Sequence, residues 1–309
     1  MRWILAGKNT AASRALALLA ERGDEVWAIG TAGDNGRDGW QRSFRGTARR
    51  LGLRFDQPRQ INAPAFVERL AEYDADRLIS IQYDQILRAS LFGAVGFPCL
   101  NLHFSLLPRH RGVHPVAWAI LSGDAEAGVT LHHMVPDIDA GHVIDQRRVA
   151  IDPGGTAREL YDALSTACFE LFRGSLPFST ALLDRRVPQD PALASYHRAG
   201  DLDFDRRRAD WSRPAADLHA WLRAMIFPPF QYPETGCGGE RMRIERVAPK
   251  LGTAPNGAEP GRIVARVEQG IEVAAGDGAI VIEALARAGD ATLGAESTLA
   301  DVAVGDRLH

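Results

Sequence analysis

Along the first 180 residues, short apolar runs ending in polar or glycine turns alternate with stretches of helical spacing. Trp3 to Ala6 is the first such run, followed by the turn Gly7-Lys8-Asn9-Thr10. Ala11 to Arg22 is rich in Ala and Leu, which favour helix, and Gly23 closes it. Val26 to Ile29 repeats the strand pattern. Strand, helix and strand in that order predict a parallel sheet with right-handed crossovers. Gln41 to Leu51 and Ala65 to Tyr73 predict further helices, the second with Phe66, Leu70 and Ala71 on one side. Arg77 to Ile81, Cys99 to Leu102, Val129 to Met134 and Val143 to Ile151 predict strands. Val113 to Leu121 predicts a helix with Pro115 in its first turn. Thr156 and Glu159 have the spacing of a capping box. Leu160, Leu164, Ala167, Cys168, Leu171 and Phe172 then recur at helical intervals, as in a helix that closes a domain.

Beyond that helix the pattern changes. Residues 186–205 are polar and charged, contain Pro188 and Pro191, and read as a linker. A helix should open near Ser212, the expected N-cap, with Pro214 in its first turn. Leu218, Leu222 and Met225 form its apolar face, and Phe227-Pro228-Pro229-Phe230 stops it. Met242 to Val247, Gly261 to Val267, Gly270 to Ala274 and Ala279 to Leu285 are short strand patterns parted by glycines, as in a small β-barrel. The expected organisation is an α/β domain at 1–185, a linker at 186–205 and a β domain at 206–309. A length of 309 residues suits two domains.

Composition narrows the function classes. Hydrophobic content of 46% and charged content of 24% are those of a soluble globular chain. A net charge of −3 offers nucleic acid no global attraction. Cys99, Cys168 and Cys237 are scattered with no CxxC pair, which speaks against a disulfide framework or a zinc site and fits a reducing cytoplasm. No run approaches the ~18 apolar residues of a membrane span. G-x-G-x-x-G is missing after the first strand, which weakens a dinucleotide reading; Gly7 serves equally as a plain turn residue. The loop Gly30 to Gly39, with four glycines, Asp34, Asp38 and the single cation Arg37, reads as mobile. Arg45, Arg49 and Arg50 read as a solvated helix face.

The candidate chemistry lies between residues 100 and 141. Asn101 and His103 are two apart in a strand, so both leave the same face. A buried strand gains nothing from that pair unless partners meet it. Asp139 follows the next strand in a turn ending at Gly141. Amide, imidazole and carboxylate converging at strand ends suit acyl transfer. Thr130 and His132 share one face of the strand leading to Asp139 and are candidates for a supporting layer. A metal site built from His103, His132, His133 and Asp139 is not expected, because adjacent His132 and His133 point to opposite faces.

Asn101-Leu102-His103-Phe104-Ser105-Leu106-Leu107-Pro108 and Ile138-Asp139-Ala140-Gly141 together resemble the motifs of the 10-formyltetrahydrofolate-dependent formyltransferase family. The resemblance covers most of the first 180 residues and continues more weakly to the end. It implies a Rossmann-like, mostly parallel domain followed by an OB-like barrel, the latter also suggested by the Trp211-Ser212-Arg213-Pro214-Ala215 start. It implies N10-formyltetrahydrofolate as co-substrate and Asn101, His103 and Asp139 as the catalytic set. By the same resemblance Gln85, Ile86 and Leu87, with the loop Met134, Val135, Pro136, Asp137 and Ile138, line the folate pocket.

The acceptor is a separate question. Ser80 to Leu87 and Arg111 to Ala119 look most like the sugar N-formyltransferases, which act on amino sugars carried by a nucleotide diphosphate. The expected partner is therefore a small molecule, a dTDP- or UDP-linked amino sugar, with a homodimer allowed and neither membrane nor nucleic acid expected. Lys8, Asn9, Thr10, Arg109 and Arg111 are the acceptor-binding candidates, the cations among them reading equally well as surface charges. Alternatives are transfer to methionyl-tRNA or to another amine such as a modified amino acid, and hydrolysis of the formyl donor. A non-catalytic nucleotide-binding protein would have no need of the three-residue set.

Overall fold

Because residues in the apolar runs face helices on both sides, the first domain is built on a sheet buried on both faces. The computed structural model describes residues 1–289 and 298–309; positions 290–297 of the expected 206–309 domain lie outside them. Strands β1 (Arg2–Gly7), β2 (Glu25–Ile29), β3 (Arg54–Asp56), β4 (Arg77–Ile81) and β5 (Cys99–His103) come first, followed by the two-residue β6 (Arg111–Gly112), then β7 (Glu126–His133) and β8 (Val143–Ala150). The main sheet has seven strands in the order β3-β2-β1-β4-β5-β7-β8. The pairs β1–β2, β1–β4, β2–β3 and β4–β5 are parallel, and β5–β7 is antiparallel. The chain moves outward from β1 in one direction and from β4 in the other, so the strand order reverses between them. Ligands of open α/β sheets bind beyond the strand ends at such a reversal.

Alternation along β1 explains the two cores. Ile4 and Ala6 join Trp27, Phe66, Leu70, Leu78, Leu87 and Leu91 in one buried cluster. Trp3 points the other way and meets Phe178 edge-on, with ring centroids 5.4 Å apart, and Phe172 at 6.5 Å. Helices α1 (Asn9–Glu21), α2 (Phe44–Arg50), α3 (Pro64–Glu72) and α4 (Ala89–Ala94) supply the connections up to β5. Later come α5 (Pro115–Leu121), α6 (Ala157–Ser175), the single turn α7 (Thr180–Leu183), and α8 (Ala215–Met225). The capping box forms as expected: Glu159 Oε2 accepts from the Thr156 backbone N–H at 2.8 Å, and Thr156 Oγ1 accepts from Glu159 N at 3.3 Å.

Two expectations are corrected. The loop Gly30 to Gly39 is tied down: Asp34 accepts from Gly36 N at 3.0 Å, Ser43 Oγ at 2.5 Å and Arg45 N at 2.8 Å. Glycine content alone overstated its freedom, because the Asp34 carboxylate ties the middle of the loop to the start of α2 and Gln57 Nε2 donates to the Thr31 carbonyl at 2.6 Å. Ser212 does not cap α8. Its hydroxyl donates to Asp210 Oδ1 at 2.6 Å, and Asp277 from a distant turn accepts from Ala215 N at 2.7 Å.

The stretch read as a linker is largely hydrogen-bonded. Val187 exchanges both backbone bonds with Val143, at 2.9 and 3.0 Å. Further on, β9 (Tyr196–His197) pairs in parallel with β6. Strands β10 (Glu234–Cys237), β11 (Glu240–Val247), β12 (Ile263–Val267), β13 (Gly270–Ala274) and β14 (Ala279–Arg287) then form one antiparallel sheet in the order β10-β11-β14-β13-β12. Register shifts between β11 and β14 bend it into a curled half-barrel. Trp211, Leu218 and Leu222 fill its inner face with Ile244, Ile271, Val273 and Leu285. Chain contacts group Met1–Pro115, Ala127–Val149 and Ala163–His197 as one compact unit, and Val116–Glu126, Ala150–Asp162 and Arg198–His309 as the other. Among the described residues no helix is long and apolar enough to cross a membrane.

Candidate active site

Strand pairing brings the polar residues together. On β5, Asn101 stands opposite His132 and His103 opposite Thr130, so these four side chains share one face. His132 Nδ1 lies 2.8 Å from the His133 carbonyl, which only accepts, so Nδ1 carries the proton there. Its Nε2 is then the acceptor for Asn101 Nδ2 at 3.1 Å. By the same reasoning His103 Nε2 donates to the His110 carbonyl at 2.8 Å, and Nδ1 is left facing Asp139.

Asp139 sits at the meeting point. Its Oδ2 is 3.5 Å from His103 Nδ1 and accepts from Gly112 N at 2.9 Å. Its Oδ1 is 3.6 Å from His132 Nε2 and 3.4 Å from Asn101 Nδ2. Burial by itself would raise this carboxyl. The His103 charge and the Gly112 N–H outweigh burial and hold it well below the usual carboxylate range. The group is thus an anion at neutral pH, with its charge met by His103 and by the Gly112 N–H.

The local backbone is specialised for this placement. Asp139 has φ of +53°, in the left-handed region that Asp tolerates better than most residues. Two residues on, a Cβ on Gly141 would lie 1.8 Å from the His133 carbonyl oxygen, so only glycine lets the turn fold back on β7. Thr130, fully buried, donates to the Ser105 carbonyl at 2.6 Å and accepts from Leu107 N at 3.1 Å. It therefore anchors the loop that leaves His103. Among the described residues, no group of three His, Cys, Asp or Glu side chains is placed to hold a metal ion.

The flanking segments divide by role. Leu87 is buried in the core cluster, and Met134, which follows β7, packs against that same cluster. Ile86 and Val135 leave apolar side chains exposed at 60% and 38%. The Gln85 amide turns elsewhere: it accepts from Ile61 N and donates to the Pro58 carbonyl, each at 2.8 Å, and so holds the neighbouring loop. Pro136 and Asp137 are exposed, while Ile138 is half-buried beside Asp139. Of the acceptor candidates, Lys8 immediately precedes α1, Asn9 is its first residue, and Thr10 Oγ1 accepts from Arg42 N at 3.0 Å. Arg109 is exposed beyond His103. The Arg111 guanidinium is engaged by Gln189 Oε1, at 3.0 Å from Nε and 2.7 Å from Nη2.

Residues that sequence reasoning missed lie in the stretch read as a linker. Gln189 touches the Asp139 turn, and Ser195 Oγ accepts from His110 N at 2.8 Å. His197 Nε2 lies 3.0 Å from His110 Nδ1 behind His103. No local pattern marks these positions, because their partners are some fifty to ninety residues away.

Comparison with known proteins finds formyl transferases. A family profile described as formyl transferase matches residues 40–173, and one described as the formyl transferase C-terminal domain matches residues 202–302. A methionyl-tRNA formyltransferase of Geotalea uraniireducens is 33% identical over 304 residues, 97% of this chain and 95% of that protein. One of Myxococcus xanthus is 35% identical over 226 residues, 73% of this chain and 70% of that protein. Among solved structures, an N-formyltransferase from Helicobacter canadensis in complex with folinic acid and dTDP-3-aminofucose superposes with a TM-score of 0.73 at 24% identity, covering 92% of this chain and 98% of that one. WlaRD, a sugar 3N-formyl transferase in the presence of dTDP and 5-N-formyl-THF, gives 0.72 at 23% identity, covering 94% of this chain and 98% of that one.

Proposed function

The chain belongs to the formyl transferase family, and from that premise we propose that it moves a formyl group from N10-formyltetrahydrofolate to the amine of a nucleotide-linked amino sugar. The observation that carries the transfer chemistry is the convergence of Asn101, His103 and Asp139 on one point at the end of β5. An amine attacking the formyl carbon develops negative charge on the formyl oxygen and positive charge on its own nitrogen. One Asn101 N–H is held by His132. The other has only a long 3.4 Å contact to Asp139, so it is the one to turn toward the formyl oxygen. His103, with Nε2 fixed on the His110 carbonyl, keeps Nδ1 directed at Asp139 and so orients the carboxylate that meets the amine. Asp139 takes the proton from the amine, directly or through water. The proton passes to the folate nitrogen as it leaves, and no covalent enzyme intermediate is needed. The exposed apolar side chains of Ile86 and Val135, with Leu87 and Met134 behind them, suit a flat heterocycle. In this reading residues 1–185 are the catalytic domain and 206–309 an appended β domain.

A small acceptor is favoured by the loop between β2 and α2. Residues 30–39 of this loop carry one cation, Arg37, with Arg42 following before α2, and Asp34 accepts from Gly36 N and Arg45 N. Transfer RNA affinity rests on many phosphate contacts, and this loop offers none in number. Identity of 33–35% with methionyl-tRNA formyltransferases favours the second reading, in which Met-tRNA is the acceptor. The deciding experiment incubates the protein with N10-formyltetrahydrofolate and a panel of dTDP- and UDP-linked amino sugars, amino acids and Met-tRNA. Formylation of a nucleotide-linked sugar is the expected result. Formyl-Met-tRNA alone would transfer the assignment to the second reading, and release of formate without any acceptor would point to hydrolysis.

A further inference from the structure

The Asp139 turn is held by an amide that neither the catalytic set nor the folate segments include. Gln189 Nε2 donates to the carbonyl of Asp139 and to that of Gly141, both at 2.7 Å. Its Oε1 accepts two bonds from Arg111, from Nε at 3.0 Å and Nη2 at 2.7 Å. The orientation of this amide is unambiguous. Guanidinium only donates and carbonyls only accept, so the oxygen must face Arg111 and the NH2 must face the turn. The residue after Arg111 completes the arrangement, since Gly112 N donates to Asp139 Oδ2 at 2.9 Å. Two adjacent residues of β6 thus grip Asp139 twice, once at the carboxylate and once, through Gln189, at the backbone.

That grip meets a need. Asp139 stands at φ of +53°, a conformation that persists only where the surroundings impose it. The carboxylate lies 3.5 Å from His103 and 3.4 Å from Asn101, distances that a small rotation of the turn would abolish. Gly112 itself is pressed against β9: a Cβ there would fall 2.2 Å from the His197 carbonyl oxygen. The return of residues 187–197 past the site therefore fixes both ends of the clamp.

We infer that Gln189, oriented by Arg111, is the positioning residue for Asp139, fixing through the carbonyls of Asp139 and Gly141 where the carboxylate meets His103 and Asn101. The inference rests on the reading that Asp139 takes the amine proton in formyl transfer. Because the amide is neutral, it places the carboxylate without adding charge beside it.

The test compares Gln189→Ala and Gln189→Glu in the full chain. Glutamate keeps the length and the pairing with Arg111, but turns an acceptor onto two carbonyls that need a donor. One readout needs no substrate: hydrogen exchange of the Gly112 amide, which reports whether the Asp139 carboxylate is still in place. The other is steady-state formyl transfer with kcat and KM resolved. In both variants the Gly112 amide is expected to exchange faster. Turnover should fall roughly 10- to 100-fold, as for a catalytic group displaced by about 1 Å, with KM for the formyl donor little changed. Wild-type kcat and Gly112 protection in Gln189→Glu would overturn the inference and leave Gln189 as a mere partner of Arg111. So would a KM change with kcat intact. Should Gln189→Ala fail to fold, Gln189→Glu decides alone. If the wild-type protein formylates no sugar, the function reading fails while Gly112 exchange still decides the positioning.

Discussion

Replacing Thr130 by Val tests how the catalytic strand is tied to the loop beyond it. The side chain is fully buried, and its hydroxyl donates to the Ser105 carbonyl at 2.6 Å. It also accepts from Leu107 N at 3.1 Å and from Gln146 Nε2 at 2.8 Å. Valine keeps the shape and removes all three bonds. Gln146 still reaches the Leu107 carbonyl at 2.9 Å, so its amide is not stranded. The Ser105 carbonyl and the Leu107 N–H are stranded, in residues only 1% and 4% exposed. An orphaned buried group costs about 1–3 kcal/mol, so the pair should cost roughly 2–4 kcal/mol once the loop relaxes. In a chain of this size that corresponds to a Tm drop of roughly 3–6 °C. The assay is urea unfolding with a parallel calorimetric scan, using Thr130→Ser as the control that keeps the hydroxyl. Turnover should fall as well, because this loop leaves directly from His103. A loss under about 0.5 kcal/mol for Thr130→Val would refute the reasoning, since it would mean that neither backbone group depends on the hydroxyl.

Other expected outcomes follow from the same geometry. Gly141→Ala places a methyl 1.8 Å from the His133 carbonyl oxygen, so the Asp139 turn must shift; kcat should drop by roughly 100-fold, read by steady-state assay. Thr156→Ala removes the capping box of α6 and should cost about 1 kcal/mol in urea unfolding with catalysis unchanged. The Asp139 carboxyl is held below its ordinary value in the folded protein, so its ionic contacts stabilise the fold above the unfolded-state pKa of about 3.9 and are lost as pH falls further. The stability difference between wild type and Asp139→Asn should therefore persist on acidification to about pH 4 and shrink below it; a loss already complete by about pH 5 would contradict the assigned shift.

How much of this was legible in the chain depends on how local the cause was. Period-two alternation placed Asn101 and His103 on one face, and the same rule put Thr130 and His132 on one face of the strand leading to Asp139. The structure pairs these residues directly across β5 and β7. The apolar runs at Trp3 to Ala6 and Arg77 to Ile81 became central parallel strands, because burial on both faces leaves no polar positions to blur the pattern. Short elements were lost. Strand β3 is only Arg54-Phe55-Asp56, and β6 and β9 are two residues each, too brief to show any period. Long-range caps were lost too: Ser212 has the right chemistry for an N-cap, but Asp277 reaches the same N–H from a separate turn. Gln189 follows a proline in a charged stretch and looks like linker. Only the fold shows that this stretch returns past the Asp139 turn.

The most direct test of the account is turnover and folate binding in Asp139→Asn. The substitution keeps the size of the side chain and removes the charge that His103 and Gly112 surround. Formyl transfer from N10-formyltetrahydrofolate should fall by roughly 100- to 10,000-fold, the range for a removed general base. Calorimetric titration with 5-formyltetrahydrofolate should meanwhile give affinity close to wild type, because the segments around Leu87 and Met134 are untouched. Near-normal turnover in the purified, folded variant would contradict the assignment of Asp139 as the proton acceptor.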